Sequence, residues 1–311
     1  MNTQLLSQTA GVLASATLNK TAPEPKQSIL SDSSGTDALL FKDNPEYWFE
    51  TERLFGAAAY GGALYGEVIA IAKGIKSGDK DSWYDANSKF ADRLADEAEG
   101  QLKKGHKISA RDNFLRASSY YCSADFFLHG NPKDPRIKHA YERSTACYKA
   151  AAALFTPAIE PVEIPYEGTT LQGYFHPADS SGKPRPTLLL NNGFDGSPEE
   201  MHWSGARAAV ERGYNVLVFD GPGQYSSVHR QGLHFRHDWE NVVTPVVNYA
   251  LTRPLLFDVC SPGFGWGTNL SGLESLSDEF TDIEIKGIKL SHFFVKMAYI
   301  CFLNVAFFLK L

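Results

Sequence analysis

The six residues at positions 191–196, Asn-Asn-Gly-Phe-Asp-Gly, could stabilise negative charge on a reacting carbonyl oxygen. They follow the apolar run Thr187–Leu190, which is typical of a strand buried on both faces. They precede a segment that begins like a helix capped by Ser197. Gly193 and Gly196 permit a tight backbone path that turns N–H groups toward a ligand, and a helix N-terminus adds positive potential. The loop therefore suits a developing oxyanion, with an ordinary glycine-rich turn as the alternative.

Asp195 is the unusual residue of this loop. A carboxylate beside an oxyanion site is unfavourable unless it orients the substrate or stays protonated. Its place in a loop at the end of a strand favours substrate contact, and a turn aspartate that bonds to its own backbone is the other interpretation. A second loop, Asp220–Gln224, holds two glycines and Pro222. Its rigidity predicts that it shapes the edge of the pocket.

The elements that position these loops follow from the spacing of apolar residues. Alternation over residues 162–175 predicts a β-hairpin, and apolar runs at 187–190 and 214–219 predict two buried strands. Helical spacing predicts one helix from Pro198 to Arg212 and another that starts at Asp238. This alternation of strands and helices predicts a parallel sheet with helices on both faces, whose ligands bind at the carboxyl ends of the strands.

Residues from about Asn44 to Phe155 read as helices only. Asn44-Pro45 and Asp134-Pro135 each fit an N-cap followed by proline at the first helical position. Asp81 is the predicted cap of a helix between them, and residues 109–112 resemble a capping box. The aromatic residues of this region fit core packing between helices, and the wall of an apolar substrate pocket is the alternative interpretation.

The composition sets outer limits on function. The 311 residues correspond to about two domains. With 30 Lys and Arg against 36 Asp and Glu, the net charge is −6, which argues against nucleic acid as a partner. The four cysteines are widely spaced, and this indicates neither a zinc cage nor a redox motif.

Both ends of the chain bear on its location. The first 40 residues lack a basic segment followed by an apolar one, so no secretory signal is predicted; we expect a disordered tail and a cytoplasmic protein. The apolar stretch at 293–309 is interrupted by Lys296, and its uncharged part is shorter than the ~20 residues of a membrane span. It therefore favours a buried helix or strand, or an exposed apolar tail, over a membrane anchor.

Several runs of residues together are distinctive. They are Asn192–Gly196, Glu199–Met201, Arg212–Gln224, Arg230–Leu233, Asp238–Glu240 and Leu251–Pro254. Over roughly residues 41–254 the chain resembles the α/β-hydrolases that carry an N-terminal helical cap. These are similar to 2,6-dihydropseudooxynicotine hydrolase and to fungal hydrolases that shorten polyketide chains in pigment pathways.

The resemblance implies an α/β fold in which an all-helical cap at 41–156 precedes an incomplete α/β-hydrolase sheet. It places the first part of the hydrolase domain at 157–254 and leaves a divergent tail at 255–311. It also implies a Ser-Asp-His triad, an oxyanion hole partly formed by Gly193 and Phe194, and substrate contact by Asp195. The expected reaction is hydrolysis of C–C or ester bonds beside carbonyls, without a metal or organic cofactor.

The expected nucleophile is missing from the sequence. The G-x-S-x-G turn should stand shortly after Pro254, but residues 261–267 read Ser-Pro-Gly-Phe-Gly-Trp-Gly, with Gly265 where the serine is needed. Ser271, Asp282 and His292 occur in triad order, yet they stand too close together for separate strand–helix units of ~30 residues.

No catalytic residue is therefore assigned, and three hypotheses remain. One is a hydrolase of small acyl or polyketide-like molecules. The second is a truncated, catalytically inactive homologue that binds a partner or forms a homodimer. The third is a protein tethered to a membrane by the stretch at 293–309.

Overall fold

The computed structural model describes residues 38–193 and 195–253, and the backbone of three short strands at 256–260, 284–285 and 288–289. The first half of the described chain is helical. Its five helices are α1 (Pro45–Ala57), α2 (Tyr65–Ala72), α3 (Lys80–Lys103), α4 (Lys107–Ala124) and α5 (Pro135–Ala152), with short 3-10 turns at Ala58–Tyr60 and Phe126–Leu128.

Two of the predicted helix starts are confirmed and two are wrong. Asn44 caps α1 by accepting from the N–H of Tyr47, and Asp134 caps α5. The cap of α3 is Asp79 rather than Asp81, which lies in the first turn. The predicted capping box at 109–112 lies inside α4, because that helix begins at Lys107, before Ser109. A local pattern of polar residues fits more than one turn, and tertiary packing selects among them.

Helices α3, α4 and α5 pack side by side around large aromatic residues. Trp83, Tyr120, Tyr121 and Tyr148 are fully buried there. Each aromatic side chain of this size buries about 150–250 Å², so these four dominate the helical core. Core packing, the predicted interpretation of the aromatics, is confirmed for these residues.

The second half contains a mixed five-stranded sheet. Its strands are β1 (Glu160–Tyr166), β2 (Thr169–His176), β3 (Arg185–Asn191), β4 (Asn215–Phe219) and β5 (Leu256–Cys260), in the order β1-β2-β4-β3-β5. The β1–β2 and β2–β4 pairs are antiparallel, whereas β4–β3 and β3–β5 are parallel. Two further strands, β6 (Glu284–Ile285) and β7 (Ile288–Lys289), pair only with each other.

The predicted hairpin and the two buried strands are confirmed. Glu167 and Gly168 form the tight turn between β1 and β2, both with positive φ. The run at 256–260, which lies in the segment expected to be a divergent tail, forms β5 and pairs in parallel with β3.

Helical segments cover both faces of the sheet, as predicted. Helix α8 (Glu240–Leu251) packs on one face and residues around Met201 and Ala206 pack on the other. The predicted helix over 198–212 is interrupted: His202–Ala206 is π-helical with a non-helical Gly205, and only α6 (Arg207–Glu211) is α-helical. Helix α7 (Tyr225–Gln231), between β4 and α8, was not predicted.

Within the described part of the chain, no helix is both long and apolar enough to cross a membrane. The apolar stretch at 293–309 and the predicted N-terminal tail up to residue 37 lie outside the described residues.

Candidate active site

The two loops singled out from the sequence lie side by side at one edge of the sheet. In the parallel register Asn191, the last residue of β3, pairs with Phe219, the last residue of β4. The loop at 191–196 therefore leaves the sheet beside the loop at 220–224. Both occupy the carboxyl ends of parallel strands, where ligands of open α/β sheets bind.

Gln224 holds these two loops together through its buried side-chain amide. Its Oε1 accepts from Asn191 Nδ2 at 2.7 Å and from the N–H of Gly221 at 2.7 Å. Its Nε2 donates to the carbonyl of Asn192 and, at 3.5 Å, to the carbonyl of Gly193. Gln224 is 4% exposed, so these bonds are shielded from water and fix the path of the 191–193 backbone.

This clamp sets the direction of one predicted oxyanion donor. In a trans peptide the carbonyl of one residue and the N–H of the next point in opposite directions. Because the carbonyl of Asn192 points at Gln224, the N–H of Gly193 points away from it. Phe194, the second predicted donor, lies outside the described residues.

Asp220 holds the same loops together through a second set of hydrogen bonds. Its Oδ1 accepts from Asn192 Nδ2 at 2.8 Å and its Oδ2 accepts from the N–H of Ser226 at 2.8 Å. Asp220 is fully buried. Burial raises the pKa of its carboxyl to about 8, although the N–H of Ser226 favours the ionised form. Asp220 thus ties the β3 loop, the β4 loop and α7 together.

The helical half reaches this edge of the sheet through Arg53 of α1. Its Nη2 donates to Glu200 Oε1 at 2.8 Å and to the backbone carbonyl of Asp195 at 3.2 Å. Its Nη1 donates to Glu50 Oε2 at 2.8 Å. The guanidinium therefore connects α1 to the segment after β3, and it holds the backbone next to the predicted oxyanion donors.

A small cleft opens where α1, α4 and the β3 loop meet. Its volume is about 30 Å³, which is room for one or two water-sized groups. It is lined by Glu50, Arg53, Leu54, Ala57, Ser119, Cys122, Ser123, Phe126, Asp195, Glu200 and Trp203. Burial raises the pKa of the Cys122 thiol well above its ordinary value, and the Glu200 carboxylate adds to this, so Cys122 is a poor nucleophile.

Glu199 forms a second buried contact between the two halves. Its Oε1 accepts from Tyr174 Oη at 2.6 Å, from Thr145 Oγ1 at 3.1 Å and from Gln172 Nε2 at 3.3 Å. These partners lie on β2 and α5. Glu199 thereby fixes the start of the segment after β3 against both a strand and a helix.

A histidine pair lies on the other side of that segment. Tyr148 Oη is 3.4 Å from His176 Nε2 and 3.2 Å from His202 Nδ1. Burial lowers the pKa of His176 to about 3 and that of His202 well below its ordinary value, and the charge of Arg207 acts in the same direction. Both rings line a separate cleft of about 180 Å³.

Among the side chains that the structure describes, no group of three or more His, Cys, Asp or Glu residues is placed to hold a metal ion. The residues that the sequence raised as nucleophile or triad candidates lie outside the described residues; they are Ser261, Gly265, Ser271, Asp282 and His292.

We compared the chain with known proteins. No protein-family model matches the chain. Hydrolase LUC6 of Fusarium sp is 40% identical over 211 residues, which cover 65% of this chain and 49% of that protein. Hydrolase acrC of Aspergillus aculeatus is 38% identical over 228 residues, covering 67% and 53%. The 20-hydroxy-prefusarin hydrolase FUS2 of Gibberella moniliformis is 36% identical over 205 residues, covering 65% and 49%.

The chain thus spans about half the length of the curated relatives it matches. Among solved structures, 2,6-dihydroxy-pseudo-oxynicotine hydrolase superimposes with a TM-score of 0.58 at 23% identity, over 67% of this chain and 57% of that one. The chain has an α/β-hydrolase fold. The resemblance that the sequence indicated is confirmed, and the incomplete sheet preceded by helices agrees with the expected architecture.

The α/β-hydrolase fold indicates where the oxyanion hole and the nucleophile should lie. In this fold the loop after β3 supplies one oxyanion-hole N–H, and the nucleophile stands on a turn between a strand and a helix. Gly193 and Asp195 lie on that loop, as predicted from the sequence. Strand β5, beside β3, leads into the 261–267 segment where the G-x-S-x-G turn was expected.

Sequence reasoning placed Gln224 only within the second loop and Glu199 only within a run that carries the resemblance. It missed the contacts of these two residues, and it missed Glu50 and Arg53 altogether. Glu50 and Arg53 are three apart on one helix, and this spacing alone is typical of an ordinary surface ion pair. Gln224 directly follows the Gly-Pro-Gly turn, which could have marked it as a loop anchor. Their partners lie far away in sequence, so no local pattern reveals the contacts.

Proposed function

We propose that this chain carries the oxyanion side of a hydrolase site that acts on a carbonyl group of a small acyl molecule. The observation that carries the proposal is the Gln224 clamp, which turns the N–H of Gly193 away from Gln224 at the carboxyl ends of β3 and β4. The fold and the names of the relatives, all hydrolases, support the same reaction class.

In this proposal Gly193 and Phe194 donate their N–H groups to the carbonyl oxygen as it gains negative charge. Donors aimed at the charge of the transition state are each worth about 2.7–4 kcal/mol. They need a fixed backbone, and the bonds from Gln224 to the Asn192 and Gly193 carbonyls supply it. Asp195 is exposed and lines the cleft, which supports its proposed contact with the substrate.

The proposed bond is an ester or a C–C bond next to a carbonyl, as the resemblance implies. One relative is named for the hydrolysis of 20-hydroxy-prefusarin, which supports a polyketide-like substrate as the specific proposal. Water and protein side chains suffice for such a hydrolysis, so the proposal includes no metal or organic cofactor.

The test compares ester hydrolysis by the full chain and by Gln224→Leu, with p-nitrophenyl butyrate as substrate. We expect kcat to fall about 100-fold in Q224L with little change in KM, because the oxyanion donors act in the transition state. Gln231→Leu is the matched control, since the side chain of Gln231 bonds to Thr170 away from the site. Equal kcat in Q224L and the unchanged chain would exclude the oxyanion role.

A second function, binding or homodimerisation without catalysis, is favoured by one observation. Gly265 stands where the G-x-S-x-G frame needs serine. A serine-directed fluorophosphonate probe separates the two proposals. Labelling of the native chain above a denatured control supports the hydrolase, whereas a monodisperse dimer with no labelling and no ester turnover supports the binding protein.

A further inference from the structure

The cleft lined by His176 and His202, here called the histidine cleft, has a volume of about 180 Å³. His176 ends β2 and pairs with Val216, near the start of β4. The cleft therefore lies at the edge of the sheet where β4 begins, whereas the two loops lie where β3 and β4 end. An engineered cavity of about 150 Å³ holds benzene, so the histidine cleft has room for one aromatic ring with a small substituent. Part of its wall is apolar, formed by Phe155, Pro157 and Ile159.

Each of the two histidines keeps one ring nitrogen open to this cleft. Tyr148 Oη contacts His176 Nε2 and His202 Nδ1, which leaves His176 Nδ1 and His202 Nε2. Within the described part of the chain neither of these two atoms has a hydrogen-bond partner, and neither is among the unpartnered atoms that the protein encloses completely. The residues are only 2% and 1% exposed, and both line the cleft. A group seated in the cleft can therefore reach the two nitrogens.

One of the two open nitrogens is a donor and the other is an acceptor. A neutral imidazole has one N–H and one bare nitrogen, and the hydroxyl of Tyr148 has one proton. Tyr148 donates to one ring, which then presents its N–H to the cleft. It accepts from the N–H of the other ring, which then presents its bare nitrogen. Burial lowers the pKa of both histidines and so favours these neutral forms.

The charges around the histidine cleft favour an uncharged ligand. Arg207 and Glu211 both line it, and Arg207 Nε lies 3.4 Å from Glu211 Oε1. Arg111 lies over the ring of Phe155 and pairs with Asp112 at 2.8 Å. A carboxylate would have to displace one of these ion pairs, and its second oxygen would face the bare imidazole nitrogen. A metal ion is not expected either, because among the described side chains no group of three or more His, Cys, Asp or Glu residues is placed to hold one.

We propose that the histidine cleft binds a small, uncharged aromatic carboxamide, whose C=O accepts from the imidazole N–H and whose N–H donates to the bare imidazole nitrogen. The ring centres of His176 and His202 lie 5.7 Å apart, about twice the length of one hydrogen bond, so one amide group can bridge them. His202 begins the π-helical turn, a rare geometry that is frequent at functional sites. The inference goes beyond the proposed function and does not rest on it.

The test uses three ligands of matched shape: benzamide, acetophenone and benzoate. Each is titrated into the full chain and followed by the backbone amide NMR signals of the protein. Acetophenone keeps the ring and the C=O of benzamide but has a methyl group in place of the NH₂ group. We expect benzamide to bind about 10-fold more tightly than acetophenone, because acetophenone leaves the bare imidazole nitrogen unpaired. We expect benzoate to bind most weakly, and the signals of Ala178 and Val210, which line the cleft, to shift with benzamide.

Two variants of His202 assign the preference to the histidine pair. His202→Leu removes one of the two open nitrogens, so benzamide and acetophenone should then bind equally. His202→Gln keeps an amide group near the position of Nε2 and should retain part of the preference, so it guards against a folding defect in H202L. His237→Leu changes an exposed histidine between β4 and α8 and should leave the ratio of the two affinities unchanged.

Four results with the unchanged chain would overturn the inference. Equal affinities for benzamide and acetophenone would mean that the donor–acceptor pair is not used, and tightest binding of benzoate would reveal an anion site at Arg207. Binding of none of the three would leave the cleft to water, and benzamide shifts centred on the loop at 191–196 would place the ligand elsewhere. Binding of benzamide requires no nucleophile, so a chain that shows the expected preference but hydrolyses no ester contradicts only the proposed hydrolase.

Discussion

Two groups of buried ionisable side chains lie on two sides of the segment that follows β3, and burial acts on them in opposite directions. On the side of the Arg53 cleft and the two loops, burial raises the pKa of Glu50 to about 7 and that of Asp220 to about 8. On the other side it lowers the pKa of His176 to about 3 and that of His202 well below its ordinary value. One cause, the loss of water around the charged form, favours neutral acids and neutral bases.

The comparison teaches how the two sides contribute to stability. The two acids have folded pKa values above their unfolded ones, so their contribution is complete below about pH 4 and is lost as the pH rises through 7 and 8. The two histidines have folded pKa values below the unfolded value of about 6.5, so their contribution is complete above that pH and is lost as the pH falls. Near pH 5.5 the two slopes nearly cancel.

The largest effect on stability is expected for Asp220. Replacing it tests whether its hydrogen bonds hold the loops together. Asp220→Ala leaves the side-chain amide of Asn192 and the N–H of Ser226 unpaired in a buried place. We expect the free energy of unfolding to fall by about 3–5 kcal/mol, measured by urea denaturation at pH 7. Ser227→Ala, which removes only a 3.4 Å bond to the Asp220 carbonyl, is the control and should cost less than about 1 kcal/mol. Equal losses would show that the Asp220 side chain is not an anchor.

The sequence predicts the local elements on both sides but not the long-range contacts that join them. The hairpin, strands β3 and β4 and the loops that follow them were predicted, because their patterns lie within a few consecutive residues. The contact of Arg53 with Glu200 spans 147 residues, and that of Asn192 with Asp220 spans 28. No local pattern records which of many surface acids a given arginine meets in the folded chain.

The contacts of the histidine pair could not be predicted from the sequence either. Tyr148, His176 and His202 come from a helix, a strand and a π-helical turn, and they meet only in the folded molecule. The sequence did predict the strand end near His176 and the helical character around Tyr148. It could not predict that the packing of these elements would bury two imidazoles and shift their pKa values.

The second prediction concerns a variant that lacks both buried histidines. In the double variant His176→Gln and His202→Gln the acids act alone, so stability should fall by about 3–4 kcal/mol as the pH rises from 5 to 6.5. The unchanged chain should vary by less than about 1 kcal/mol over that range, because the slopes oppose each other. Urea denaturation at four pH values measures both. Parallel pH profiles would mean that the histidines do not stay neutral in the folded chain.

The third prediction removes one acid. Glu50→Gln eliminates a carboxyl whose pKa is raised to about 7 by burial. The unchanged chain should lose about 1–1.5 kcal/mol of stability between pH 6 and 8 from this group, and E50Q should lose correspondingly less. Glu52→Gln, an exposed acid on the same helix, should follow the unchanged chain. A decline in E50Q as steep as in the unchanged chain would assign the alkaline loss to Asp220 alone.

The smallest effect is expected for the hydroxyl that joins the histidines. Tyr148 has one hydroxyl proton, so it donates to one ring and accepts from the N–H of the other. Each ring is then a single neutral tautomer, and the lowered pKa values favour this state. Tyr148→Phe should lower the free energy of unfolding by about 1 kcal/mol at pH 7. Tyr214→Phe, at a more exposed tyrosine, is the control.

Imidazole ¹⁵N shifts should show one protonated and one bare nitrogen in each ring of the unchanged chain, and mixed tautomers in Y148F. Identical shifts in both proteins would mean that Tyr148 does not set the tautomers, and that burial alone holds the histidine side neutral.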